Sequence, residues 1–600
     1  MGRTFVEKIL GAPTGSIVFK SPDLILTHDN TASIRKTFEK MGGKKVFDPG
    51  RLVVVLDHNS PPTNSKVATD HEAVRQFVKE QGISKFHDEG EGICHQLMAL
   101  HAKPGMIIVG SDSHTCTAGA FNTLAVGIDR TEAAGIWLRG ETWFRVPETL
   151  KIVLHGRLPK GVFAKDLILW IAGMISSSGA NYMSIEFHGD GVKTLSISDR
   201  MTIANMASEL GAKNAVFPPD EVLADYYGVN VDELNGVWAD PDANYARVIE
   251  INLDELYPVV AAPHHVDNIR AVREVLGTKV DEAFVGTCTN GRYDDLKIAA
   301  DILTNKQLPD GVHMIVTPAS REIYLKAVTD GIIAKLLSAG ANVLTASCGP
   351  CLGTGQGIPA DGWTVISTAN RNFLGRMGNK NARIFLASPA TAAYSALKGE
   401  ISDPREILDP DFQPKDEKFP YRQKQSETIT IPEGELRRIN GVWNYKDVDN
   451  LNTDQMFAGN LTYQILSSDP EAIVPHLFAG FDPNFSKNAQ KGDIIIAGRN
   501  FGTGSSREHP AVGLAYIGIK AVIVKSVNRI FFRSSTNQGL PIIVHPEAVE
   551  AYQPGDKVDV DFEAGKIYIG DKTFDFQPLP DKLQELLKAG GLVKWIKSQS

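Results

Sequence analysis

The chain has 600 residues, 42% of them hydrophobic and 22% charged, and a formal net charge of −9. That balance fits a soluble globular protein of several domains, roughly four at about 150 residues each. It excludes a general attraction to nucleic-acid backbones or anionic membranes, so an anionic ligand must meet a local positive site.

The N-terminus, MGRTFVEKILGAP, has no long apolar core of a secretory signal, and Val6 stands where a myristoylation signal has Ser or Thr. With only five cysteines, the predicted compartment is the reducing cytoplasm. Apolar runs such as LVVVL and MIIVG are about five residues long, against the roughly 20 needed to cross a bilayer. They alternate with amphipathic segments to about residue 400, which predicts α/β layers with mostly parallel sheets. LVVVLDH puts Asp57 and His58 at a strand end, where open α/β sheets bind ligands. GICHQ carries His95, and IIVGSDSHTCT places Asp112, Ser113 and His114 after another apolar strand. A histidine oriented by a carboxylate can move protons. Each alone reads more readily, by about two to one, as a satisfied structural residue, and the grouping is what favours chemistry. NMASELGA puts Asn205 and Glu209 at i and i+4 on one helix face, a spacing that a solvated face also explains.

Cys288 in VGTCTNGRYDD and Cys348 and Cys351 in SCGPCLG lie in turns after apolar runs. Thiolates at such turns can hold an iron–sulfur cluster, which usually takes four cysteines. No good fourth candidate exists here, so one iron is left to act as a Lewis acid. Cys94 and Cys116 have no partner at ligand spacing and are read as small buried residues. STANRNFLGRMG presents Asn370, Arg371 and Arg376, and two such arginines can bind a dicarboxylate.

Residues 406–435, rich in Pro and charge, are the predicted linker. Beyond them DIIIAG and AVIVKSV predict a separate, smaller α/β domain over 436–600. Its loop GRNFGTGSSREH places Ser505, Ser506 and Arg507 at a predicted helix start, where N–H groups and the dipole favour an anion. Ser505 as a plain helix cap is the alternative.

HDNTAS, LDH, GICHQ, GSDSHTCT, GTCTNGR, SCGPCLG, TANRNFLGRMG and GRNFGTGSSREH, in this order along nearly the whole chain, resemble the motifs of the aconitase superfamily. The resemblance implies three α/β/α subdomains, roughly 1–145, 146–265 and 266–405, and a swivel domain that in many members is a separate small subunit. It implies a 4Fe–4S cluster on Cys288, Cys348 and Cys351, supported by Asn205 and Asn370. Ser505 becomes the base and His58, oriented by Asp57, the acid. His95 with Glu209 and His114 with Asp112 become the pairs around the reacting oxygen. Ser113, Arg371, Arg376, Ser506 and Arg507 become the carboxylate holders, with Arg507 and the loop N–H groups raising the acidity of Ser505. The reaction implied is dehydration and rehydration of a hydroxy di- or tricarboxylate, with no nucleic-acid or membrane partner.

SDSHTCTAGAF is closest to the isopropylmalate and homoaconitate branch. The loop that selects substrates in the family follows Asn452-Thr453-Asp454, and from Gln455 to Glu471 it contains no Lys or Arg. Leu466 is expected where tricarboxylate enzymes carry an arginine. An unpaired buried carboxylate costs several kcal/mol, whereas an alkyl arm on Leu466 gains roughly 1.5–3 kcal/mol. Isopropylmalate is therefore the expected substrate, with dimethylmalate, homocitrate and citrate as alternatives. Ser33, where citrate enzymes have Gln, counts mildly against citrate, and Lys446 is a poor candidate for a missing cation. The other classes weighed are a zinc-binding structural module and an RNA-binding regulator.

Overall fold

The computed structural model describes residues 2–421, 430–462 and 464–599. Five parallel strands form the first sheet in the order Lys85–His87, Leu52–Val55, Leu24–Thr27, Ile107–Gly110, Leu124–Gly127. The LVVVL and MIIVG runs supply its second and fourth strands, and every residue of both is buried, as for strands covered on two faces. From Leu24–Thr27 the chain builds first to one side and then to the other. The loops after Leu24–Thr27 and Ile107–Gly110 therefore part and leave a crevice at the strands' carboxyl ends.

A second sheet holds four parallel strands between Thr149 and Asn252. The third has seven, from Val259–Ala261 to Arg383–Leu386 in sequence. Its reversal falls between the parallel neighbours Glu282–Gly286 and Thr364–Ser367. Its first strand begins before residue 266, so the third unit starts slightly earlier than the sequence boundary.

The C-terminal unit has a five-stranded sheet in which DIIIAG and AVIVKSV form the parallel pair Ile494–Ala497 and Ala521–Val524. A small antiparallel sheet follows at Val558–Asp575. The predicted linker is anchored at Glu417 and Phe419; residues 422–429 lie outside the described residues. Arg405 bridges Asp403 and Glu417, and Phe419 is buried with its ring centroid 4.8 Å from that of Trp170. Burying one such aromatic gains roughly 1.5–3 kcal/mol, enough to strap the segment to the catalytic region. No helix among the described residues is long and apolar enough to cross a membrane.

Candidate active site

Both sheet reversals and the C-terminal unit open onto one cavity of about 330 Å³. After strand Glu282–Gly286 the chain turns through Thr287 at φ 71° and delivers Cys288 into a short helix, Thr287–Asn290. Cys348 precedes and Cys351 ends inside the helix Gly349–Leu352. All three cysteines line the cavity and are at most 9% exposed. N–H groups face two of the sulfurs. The Asn205 amide donates to Cys288 Sγ at 3.2 Å and the Asn370 amide at 3.6 Å, and Arg376 Nη2 lies 3.6 Å from Cys351 Sγ. Burial pushes the Cys288 thiol up to about 12 and that of Cys348 well above its ordinary value. Such thiols ionise readily only onto a metal, which their sulfur-facing donors would then support. The set fits an iron–sulfur cluster, and its opening onto a cavity is unlike the closed shell of a structural zinc site. Cys94 and Cys116 are buried and line no part of the cavity, as expected.

On the first-sheet side, His58 Nδ1 lies 2.7 Å from Asp57 Oδ1, while Asp57 Oδ2 accepts the Cys94 N–H at 2.8 Å. The expected dyad is present. Of the other two pairs, one is present and one is not. His114 Nδ1 lies 3.4 Å from Asp112 Oδ1 while its Nε2 meets Glu209 at 2.8 Å, and His95 Nε2 meets Asp112, at 2.7 Å, instead of Glu209. The cause is local. Asp112 caps the 3₁₀ helix Ser113–Phe121 by accepting the His114 N–H, which sets the His114 ring between Asp112 and Glu209. Burial alone would raise Asp112, yet its three histidines hold it well below the usual carboxylate range. Glu209 falls to about 2: burial works against this, and Arg371 and His114 outweigh it. The helix bearing Asn205 ends at Met206, and Glu209 reaches the site from a 3₁₀ turn instead.

The C-terminal unit closes the cavity with the loop after Ile494–Ala497. Ser505, Ser506 and Arg507 line it, but the helix begins only at His509, so neither the dipole nor the capping reading of Ser505 holds. Gly504, at φ 111°, lets the loop press against Thr453; a Cβ there would lie 2.8 Å from Thr453 Oγ1. Thr453 Oγ1 takes the Ser505 N–H at 3.0 Å and lies 3.2 Å from Ser505 Oγ. Arg507 is turned away from Ser505. Both of its Nη atoms lie 3.1 Å from Asp454 Oδ1, and Nη1 also donates to the Thr453 and Phe457 carbonyls. Only its Nε remains unpartnered, as does that of Arg376. Arg371 is likewise engaged, with Glu209, Ser113 Oγ and the Gly504 carbonyl, each at 2.9–3.0 Å.

Leu466 does not line the cavity. The substrate loop offers Ala458, Gly459 and Thr462 instead, because the tight turn from Leu466 to Asp469 and the His509 bond to the Ile465 carbonyl draw the later residues aside. Ser33 bonds Ser467 at 3.1 Å and is also absent from the lining, and Lys446 is spent on the Tyr552 carbonyl.

Several groups escaped the sequence reading. His28 stacks on His58 at 3.8 Å, and burial, with the His58 charge, drives its pKa to about 3, so it stays neutral. It ends strand Leu24–Thr27 just as His58 follows Leu52–Val55, a signal that was available. Asp29 accepts the N–H groups of Asp57, His58 and Asn59 and bonds His71, pinning the dyad's loop. Arg130 and Lys380 also line the cavity; nothing in their sequence surroundings announced it.

Residues 5–399 match the model of the aconitase family (aconitate hydratase), and residues 421–547 that of the aconitase C-terminal domain. A 3-isopropylmalate dehydratase large subunit 1 of Methanopyrus kandleri is 46% identical over 418 residues, 68% of this chain and 100% of the relative. A probable methanogen homoaconitase large subunit of Methanosarcina mazei is 45% identical over 389 residues, 64% of this chain and 99% of its own. A solved 3-isopropylmalate dehydratase structure from Methanocaldococcus jannaschii shares 39% identity over 26% of this chain and 91% of its own, with a TM-score of 0.24.

Proposed function

The chain belongs to the aconitase family and is an aconitase-type hydro-lyase, and from that premise we propose how its own residues act and on what. Cys288, Cys348 and Cys351 hold a 4Fe–4S cluster. Bound there, it provides a Lewis acid, because three protein ligands for four irons leave one position open. Ser505 Oγ takes the proton from carbon, in the field of the three arginines, Arg507, Arg376 and Arg371, that also depress Asp454. His58, as the imidazolium that Asp57 stabilises at Nδ1, gives its Nε2 proton to the departing hydroxyl. His28, neutral and stacked, keeps that ring in place. The His95–Asp112 and His114–Glu209 pairs orient the groups around the reacting oxygen. Arg371, Arg376, Ser506 and Arg507 Nε hold the substrate carboxylates, while Ser113, outside the cavity lining, accepts from Arg371 and steadies it. Residues 436–600 act as the swivel domain, and a reducing cytoplasm suits five free cysteines.

The observation that carries the reading is the convergence on one cavity of three buried cysteines, the Asp57–His58 dyad and Ser505 from the C-terminal unit. The substrate arm meets the uncharged Ala458, Gly459 and Thr462, which favours an alkylmalate: the chain interconverts 2- and 3-isopropylmalate, in leucine synthesis. A tricarboxylate, as for a homoaconitase, is the second reading, favoured by Arg130 and Lys380 in the same lining. Anaerobically reconstituted protein offered isopropylmalate, dimethylmalate, homocitrate and citrate, followed by the ultraviolet absorbance of the conjugated enoate, separates them. Turnover confined to an alkylmalate supports the first. Preference for homocitrate or citrate refutes it and points to Arg130 or Lys380 as the third carboxylate's partner.

A further inference from the structure

One buried cation has no part in the chemistry above. Lys165 is the second residue of the helix Ala164–Ile175 and is fully buried. Its Nζ donates to the carbonyls of Thr368, at 2.8 Å, and Ala369, at 2.7 Å, and lies 3.8 Å from Met206 Sδ. Among the described residues no carboxylate pairs with it. An ammonium in such a place is costly without a nearby anion. Burial brings its pKa down to about 7, and the groups that pull it back up are, in order, Cys351, Cys288, Asp295 and Glu209. Asn370, the residue after the Ala369 carbonyl that Lys165 holds, lies 3.6 Å from Cys288 Sγ and 3.7 Å from Cys351 Sγ, which puts the ammonium one residue away from two of the three proposed cluster ligands. The carbonyls it ties belong to the two residues just before Asn370, which faces the Cys288 sulfur, and Arg371.

We propose that Lys165 is a positioning residue for the cluster: its ammonium sits behind the thiolates of Cys288 and Cys351 as their buried counter-charge and holds the Thr368–Ala369 turn that presents Asn370 and Arg371. This rests on the reading of Cys288, Cys348 and Cys351 as cluster ligands. A positive charge in a low-dielectric interior favours the more negative, reduced state of a nearby cluster and strengthens thiolate ligation.

Two substitutions separate charge from hydrogen bonding. Lys165→Gln keeps N–H donors for the carbonyls and removes the charge; Lys165→Arg keeps both. In anaerobically reconstituted protein, the cluster's midpoint potential is read by electron paramagnetic resonance, and iron release to a chelator is timed. With parental far-ultraviolet circular dichroism, Lys165→Gln is expected to shift the potential to more negative values and to lose iron severalfold faster, with Lys165→Arg close to the parent. A Gln variant matching the parent in both readings, or Gln and Arg variants shifted equally, would overturn the inference. A parent that assembles no cluster would instead refute the cluster reading, and the inference with it.

Discussion

Two seams join the C-terminal unit to the rest of the molecule, and they are built differently. At the active site the contacts are mostly single hydrogen bonds: Ser33 with Ser467, Ser506 with the Ser111 carbonyl, Arg371 with the Gly504 carbonyl. Around helix Arg130–Arg139 the seam is a buried charge cluster. Arg533 forks onto Glu132 with both side chains at most 2% exposed, and its guanidinium lies 3.7 Å from the Trp143 ring centroid. Asn537 donates to Asp129, Gln538 to Thr131 and the Thr131 N–H to Glu508. The C-terminal helix Leu592–Ser598 then folds back, with Leu592 against Gly135 and Arg139 over Trp595. A bond worth about 1 kcal/mol can open at each turnover, whereas a buried ion pair resists opening because each separated charge needs water. The molecule thus sets its strong attachment on one flank of the cavity, at the helix whose first residue, Arg130, lines it, and leaves the loop contacts on the substrate side soft.

The sharpest way to break that division is at its two extremes. Ser505→Ala is expected to lower turnover by about 10²–10⁴-fold, the range for a lost general base, while the urea midpoint and cluster absorbance stay parental. Near-normal turnover would remove Ser505 as the base. Glu132→Ala leaves Arg533 buried and uncompensated, at a cost of about 3–5 kcal/mol, so the urea midpoint should fall while turnover of the protein that remains folded stays near the parent. An unchanged midpoint would mean that the charge cluster does not hold the unit.

The same seam should have a pH signature. Burial, then the charges of Glu508 and Glu132, hold the Asp129 carboxyl well above its ordinary 3.8. The folded protein therefore binds this proton more tightly than the unfolded chain does. Stability from the group is complete below 3.8 and is lost as pH rises through the raised value, by up to about 1.4 kcal/mol per pH unit crossed. Asp129→Asn keeps the helix cap, and Asn537, whose Oδ1 has no partner, can turn its amide to meet it. The variant should gain stability at neutral pH and lose the gain toward pH 4, seen as converging urea midpoints.

The sequence made some of this legible and not the rest, for physical reasons. Strands covered on both faces need continuous apolar runs, so LVVVL, MIIVG, DIIIAG and AVIVKSV could be read directly, and the ligand-bearing turns follow them. The cysteines, Asp57–His58 and the loop at Ser505 stood out because their chemistry is local. Partner choice is not local. Whether Glu209 meets His95 or His114, and whether Arg507 faces Ser505 or Asp454, depends on how separate elements converge, and both were misassigned. The Leu466 expectation failed for a related reason, since the turn from Leu466 to Asp469 and the His509 bond to the Ile465 carbonyl decide which loop residues face inward, and composition shows neither. Lys165 and Arg533 gave no signal, because a buried cation is recognisable only from what surrounds it.

The smallest effect tests the soft seam itself. Ser33 and Ser467 are both buried, and their hydroxyls meet across the boundary between the first sheet's region and the substrate loop. Neither lines the cavity, so neither touches substrate; the bond only helps hold the loop over it. Ser467→Ala removes one neutral hydrogen bond, worth about 0.5–1.5 kcal/mol, and leaves the Ser33 hydroxyl in place. Under the swivel motion proposed for residues 436–600, that energy belongs to the closed, substrate-bound form. The loss should therefore appear as a rise in KM of about two- to tenfold, with kcat and the urea midpoint unchanged. A lower midpoint with an unchanged KM would put this bond with the charge cluster, and the two seams would no longer divide function from stability.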